Sequence, residues 1–272
     1  MWNDAKHVWV VHLKSEHQEE PNTVEVLLPD RFDMSRKYRV LYVLPVETGI
    51  GGRYGDGLQE VRRVDAHNQY DLIGVQMAFD TVPWYADHPT DQRIQHESYL
   101  KNVIVPFIES RYPTLGTPEG RLLIGFSKSG WGAFTLILRN PNFFGYAVSW
   151  DAPLMLNEWV PAWGMDRAFG TQECFARHRP SALFEIQAAF FRNKKRLILL
   201  GEKAFGPAPK NLFRQKHQTP LAHEKMSQMG ILHYRGIRFT PVDTRCSIRP
   251  WKTIPGRCLS SRSVSRQMRH AG

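Results

Sequence analysis

The stretch Leu122-Leu-Ile-Gly125-Phe126-Ser127-Lys128-Ser129-Gly130-Trp131-Gly132-Ala133 passes from an apolar, strand-like run through small residues into a segment with helical spacing of apolar side chains. A strand that enters a helix without a loop needs a sharp bend, and the residues two before and two after its apex must be small so that the two backbones can approach. Gly125 and Ser129 meet that demand around Ser127, and Gly130 follows at once. A serine at such an apex is held in a strained conformation and presents its hydroxyl at the carboxyl edge of the sheet, where open α/β sheets place their ligands. Glycine- and serine-rich bends between strand and helix also occur without chemistry. The reading of Ser127 as a nucleophile therefore rests on the strand, turn and helix together and not on Gly-x-Ser-x-Ser alone.

Outward from this bend, strand-like and helix-like segments alternate, the pattern of a mostly parallel sheet with helices on both faces. His7–Lys14 and Thr23–Leu28 are β-branched runs around a polar turn and predict an antiparallel pair at the N-terminal sheet edge. Arg39–Pro45, Leu72–Phe79, Arg121–Gly125, Tyr146–Trp150 and Arg196–Gly201 are nearly continuous apolar runs, as strands buried on both faces should be. Helices are predicted over Glu97–Tyr112, Lys128–Arg139, Ser181–Phe191 and Pro220–Met229, with a last strand at Ile231–Tyr234. The expected fold class is α/β, with a mostly parallel central sheet, helices on both faces and antiparallel strands at the N-terminal edge.

The chain has 272 residues, 42% of them hydrophobic, enough for one large core, and no apolar run approaches the ~20 residues needed to span a bilayer. Met1–Lys6 lacks the features of an export signal, and the three cysteines, Cys174, Cys246 and Cys258, are too scattered for a disulfide framework. Both features predict a cytoplasmic protein. The formal charge is +10, but seven of those charges fall in Thr244–Gly272, which contains no acid. The body, residues 1–240, reads as one domain, and 241–272 as a basic tail without periodicity.

The phrase Gly125-Phe-Ser-Lys-Ser-Gly-Trp-Gly-Ala133 resembles the Gly-Phe-Ser-x-Gly-Gly-x-x-Ala elbow of the esterase family of the α/β-hydrolase superfamily, related to esterase D, the enterochelin esterases and the mycolyltransferases. The likeness extends more loosely from about Thr23 to Tyr234. It implies a serine esterase with Ser127 as nucleophile and the backbone N–H of Lys128 as one oxyanion donor. The glycine-rich loop after Arg39–Pro45 would supply the second donor, from Val46 or Glu47. Glu202, following Arg196–Gly201, stands where the acid is expected, with Asp151 as second choice. The family places its histidine after the last strand. No histidine lies between His233 and His270, so none is assigned.

Tyr54, Trp84, Tyr85 and Asp151 are candidates for the substrate pocket; Trp84 and Tyr85 could equally cap the core. The loop Gly49–Gly57 is no phosphate cradle of the Gly-x-x-x-x-Gly-Lys-Ser/Thr kind, and the helix signal after it is poor. Histidine and cysteine spacing offers no metal motif, and no cofactor is expected. The expected partner is a small-molecule ester; neither a membrane nor a nucleic acid is, since Trp251 alone interleaves the irregular arginines of the tail. Loss of pattern near Arg235, followed by an acid-free tail, is what a shifted reading frame would produce, so the residues after about Tyr234 are expected not to be this fold's native ending. A hydrolase-like binding protein lacking the catalytic histidine is the alternative function.

Overall fold

The computed structural model describes residues 1–202 and 218–238, with side chains of Glu202, Ile237 and Arg238 excepted. Among the described residues nine strands form one sheet: β1 (Trp2–Asn3), β2 (Val8–Leu13), β3 (Asn22–Leu27), β4 (Arg39–Leu44), β5 (Leu72–Met77), β6 (Arg121–Phe126), β7 (Tyr146–Trp150), β8 (Leu197–Glu202) and β9 (His233–Arg238). Their order is β1-β2-β3-β5-β4-β6-β7-β8-β9. From β4 to β9 every neighbouring pair is parallel, whereas β1, β2 and β3 join antiparallel. The expected α/β sheet with an antiparallel N-terminal edge is what the chain forms.

Strand β4 shows why the sheet needs cover on both sides. Alternate side chains of a strand point to opposite faces, and Val40, Tyr42 and Leu44 enter the main core while Val43, with Leu41 beside it, enters a smaller cluster on the other face. The main core is closed by α5 (Lys128–Arg139), through Ala133, Leu136 and Ile137, and by α8 (Pro180–Phe191). The smaller cluster is closed by Leu58 and Val61 of α1 (Gly57–Arg63). A third cluster joins Trp131 of α5 to Trp84, Phe169 and Phe175. Phe169 and Phe175 come from α6 (Met165–Phe169) and α7 (Gln172–His178).

Several expectations shift. The helix expected over Glu97–Tyr112 is broken into α3 (His96–Ser98), a π-helical segment Tyr99–Ile104 and α4 (Val105–Arg111). Pro106 lies at the start of α4, and a residue without an N–H cannot continue the regular hydrogen-bond ladder. Helix α1, for which the sequence signal is poor, exists because the Asp56 carboxylate accepts from Leu58 N and Gln59 N at 3.1 and 3.2 Å. A further short helix, α2 (Ala66–Gln69), follows it. Helix α9 (Gln218–Gln228) precedes β9, which runs four residues past Tyr234 and pairs with β8 through Arg238. The strand therefore continues beyond the point where the sequence pattern fades. The segment 241–272 lies outside the described residues.

Candidate active site

In this order β4 has β5 on one side and β6 on the other. The connections after β4 and β6 therefore leave in opposite directions along the sheet, opening a crevice at the carboxyl ends of those two strands. The pairing Leu44↔Gly125 aligns the two ends. Beyond Leu44 begins the glycine-rich loop; beyond Gly125 begins the bend at Ser127.

Ser127 has φ 53° and ψ −123°, a backbone state that costs a residue with a side chain on the order of 1–3 kcal/mol and persists only where the surroundings impose it. The surroundings are specific. Ser127 N donates to Trp150 O at 2.9 Å, and Trp131 N donates to Ser127 O at 3.1 Å. A Cβ on Gly125 would lie 2.1 Å from Ser129 O, so no larger residue fits beneath the bend. Ser129, where the family elbow has glycine, is fully buried and uses its hydroxyl: Oγ accepts from Phe126 N and donates to Phe126 O, both at 2.9 Å. The substitution thus ties the two arms of the bend together.

Lys128 opens α5. The first N–H groups of a helix have no acceptor inside it and carry its positive dipole end. The Lys128 ammonium is half-buried; burial pushes its pKa down, while the Glu47 carboxylate opposes that shift. Between the glycine-rich loop with α1 and the strands β4 and β6 lies a cleft of about 100 Å³, lined among others by Val46, Glu47, Tyr54, Gln76, Phe126 and Trp150, with Ser127 and Lys128 outside its wall. Phe126 links its aromatic wall, with ring centroids 4.8 Å from Trp150 and 6.1 Å from Tyr54. The far end of the loop is anchored by Lys6 Nζ, which meets Asp56 at 2.9 Å and Glu25 at 2.8 Å.

The remaining candidates separate into groups. Val46, Glu47 and Tyr54 line the cleft beside Ser127's strand. Asp151, at φ 44°, follows β7, and its Oδ1 would lie 2.8 Å from a Cβ on Gly201, which puts its carboxylate at the same sheet edge. The Glu202 backbone ends β8; its side chain lies outside the described residues. Trp84 and Tyr85 are completely buried. Trp84 Nε1 donates to Trp163 O at 2.9 Å, and its ring meets Trp131 edge to face. Tyr85 OH donates to Pro45 O at 2.6 Å. The sequence missed Trp150 as a cleft wall, although its place at the end of a strand neighbouring β6 was the available signal.

His223 and His233, the described histidines after β8, bond to each other at 2.7 Å between Nδ1 and Nε2. His233 pairs with Leu197, at the opposite end of β8 from Glu202, about 17 Å away at the usual rise per strand residue. His217 lies outside the described residues. Among the described residues no cluster of three or more His, Cys, Asp or Glu could hold a metal ion.

The "Putative esterase" family model matches residues 15–204. The chain belongs to this esterase family. It is 26% identical over 240 residues to the esterases Rv1288 and MT1326 of two Mycobacterium tuberculosis strains, covering 77% of this chain and 50% of each relative, so the chain spans about half the length of those relatives. Its fold is similar to that of FphF, a fluorophosphonate-binding serine hydrolase of Staphylococcus aureus, with TM-score 0.66 and 15% identity over 97% of both chains. It is also similar to an S-formylglutathione hydrolase of Agrobacterium tumefaciens, with TM-score 0.63 and 16% identity over 88% of both chains. The fold that the chain shares with these structures is the α/β-hydrolase fold.

Proposed function

We propose that this esterase-family chain is a serine-dependent hydrolase of small carboxylic esters with Ser127 as its nucleophile. The observation that carries the reading is the Ser127 backbone, strained at φ 53° and ψ −123° beside the crevice between β4 and β6. Ser127 Oγ attacks the ester carbonyl, and the tetrahedral oxyanion is met by the N–H of Lys128 and by that of Val46 or Glu47. The intermediate collapses with loss of the alcohol, leaving the acyl group on Ser127, and water then hydrolyses this acyl-enzyme to the carboxylic acid and free serine. Glu202 or Asp151 supplies the carboxylate that orients the general base, a role to which no histidine is assigned. The ester sits against Tyr54, Phe126 and Trp150. The protein acts in the cytoplasm, in keeping with scattered cysteines of which Cys174 is buried and free, and no described helix is long and apolar enough to cross a membrane.

One observation favours a second reading, a binding protein of the same architecture with impaired catalysis: His223 and His233 hold each other at the amino ends of the strands. Hydrolysis of p-nitrophenyl butyrate decides between the two. Turnover that falls by three or more orders of magnitude in Ser127→Ala supports the hydrolase; saturable binding of the ester without turnover supports the binding protein.

A further inference from the structure

Tyr85 is buried and takes no direct part in the chemistry above, yet its position is tightly imposed. Its backbone sits at φ 56°, a region a bulky residue enters only when its neighbours require it. Its ring occupies the space above Gly132, where a Cβ would lie 2.0 Å from Tyr85 Cδ2, so the glycine in α5 is the seat of this ring. Its hydroxyl reaches 40 residues along the chain to donate to Pro45 O at 2.6 Å. One side chain therefore touches both halves of the oxyanion site: the helix that begins with the Lys128 N–H, and the strand end that leads to Val46 and Glu47.

The Pro45 carbonyl and the Val46 N–H belong to one planar trans peptide and point in opposite directions. Fixing the oxygen fixes the direction of the N–H, and sets the course of the chain into Glu47. The loop beyond does little of this itself. Gly49, Gly51 and Gly52 all have positive φ, with nothing within 4 Å of where their Cβ atoms would be. Besides Tyr85, the Gly49 N–H bond to Phe79 O, at 3.2 Å, steadies the loop start.

We propose that Tyr85 is a positioning residue for the second oxyanion donor: its hydroxyl locks the Pro45–Val46 peptide so that the loop N–H is aimed at the oxyanion forming beside Ser127. The proposal rests on the hydrolase reading above. Preorganised donors act because they need not reorient as charge develops. Loss of the lock leaves the donor present but misaimed, so the defect belongs to kcat and not to KM.

The test compares Tyr85→Phe, which keeps the ring, with Tyr99→Phe. Tyr99 is equally buried and packs on the same Phe79 ring, but its hydroxyl has no hydrogen-bond partner among the described residues. Rates on p-nitrophenyl butyrate are expressed per site titrated with a fluorophosphonate, which removes any difference in folded fraction. Tyr85→Phe is expected to lose about 10- to 100-fold in kcat, below the loss from deleting a donor outright, with KM within two-fold of wild type; Tyr99→Phe keeps its kcat. Gly132→Ala, which displaces the ring and leaves the hydroxyl, is expected to show the same kcat defect. Equal kcat in wild type and Tyr85→Phe, or a loss confined to KM, overturns the role given to Tyr85 alone. A wild-type chain that neither turns over ester nor labels overturns the hydrolase reading, and this role with it.

Discussion

Replacing Gly125 by alanine adds one methyl group at the most crowded point of the bend. The new Cβ would stand 2.1 Å from Ser129 O, 2.2 Å from Ser129 C and 2.6 Å from Gly130 N, all of them backbone atoms. No rotamer change relieves such contacts. To restore an ordinary separation of about 3.4 Å, the first turn of α5 must move by about 1.3 Å relative to β6. Overpacking of this kind costs typically 1–3 kcal/mol, and for a chain of this size about 3 kcal/mol lowers the melting midpoint by roughly 6–12 °C. The same displacement moves Ser127 Oγ and the Lys128 N–H, and misplacement by about 1 Å costs on the order of a hundred-fold in rate. Gly125→Ala should therefore show both effects together, read by calorimetry and by the rate of fluorophosphonate labelling. A variant with the wild-type midpoint and labelling rate would refute the claim that close backbone approach at Gly125 holds the nucleophile.

Other perturbations act on the same strain or on buried charge. Ser127→Gly removes the side chain from a backbone state that glycine adopts freely, so it should gain on the order of 1 kcal/mol in stability while abolishing activity; a lower melting midpoint would show that the bend is unstrained. Burial, with Arg139 nearby, pushes His178 down to about 4, and burial with His88 pushes His96 down to about 3. The folded chain therefore refuses protons that the unfolded chain accepts below about pH 6.5. Stability is complete above that pH and is lost as pH falls toward 4, by on the order of 3 kcal/mol from His178. The Glu97 carboxylate, 3.9 Å from His178 Nε2, does not reverse this, being held by Arg139 at 2.7 Å and Asn140 at 2.8 Å. Urea midpoints from pH 7.5 to 4 should fall in wild type and fall less in His178→Asn; equal slopes would discount the burial argument.

The elements that fix the fold were legible because each was decided locally. Helix α5 and strand β7 keep the bounds their sequence predicts, one from helical spacing after a glycine-rich bend and the other from an apolar run ending at Trp150-Asp151. Helix α1 was hidden by the preceding glycines, although Asp56 and the Leu58/Val61 spacing are a capped, one-faced turn. Helix α7 was missed as well, with Thr171 Oγ1 accepting from Cys174 N at 3.1 Å as its cap. What the sequence could not carry is orientation. Whether Trp84 and Tyr85 face a cleft or a core depends on Trp131, Phe169 and Pro45, which lie far from them in the chain and are brought close only by the fold. The bend at Ser127 was legible for the opposite reason: a strand-to-helix turn is specified by its immediate neighbours, whereas the acid and base proposed to act with it would come from separate strands and loops.

The most direct measurement is to inactivate the protein with a fluorophosphonate, digest it, and locate the phosphonylated residue by mass spectrometry. A single stoichiometric adduct on Ser127, absent from Ser127→Ala, is the expected result. An adduct on any other residue, or undiminished labelling of the variant, would contradict the account.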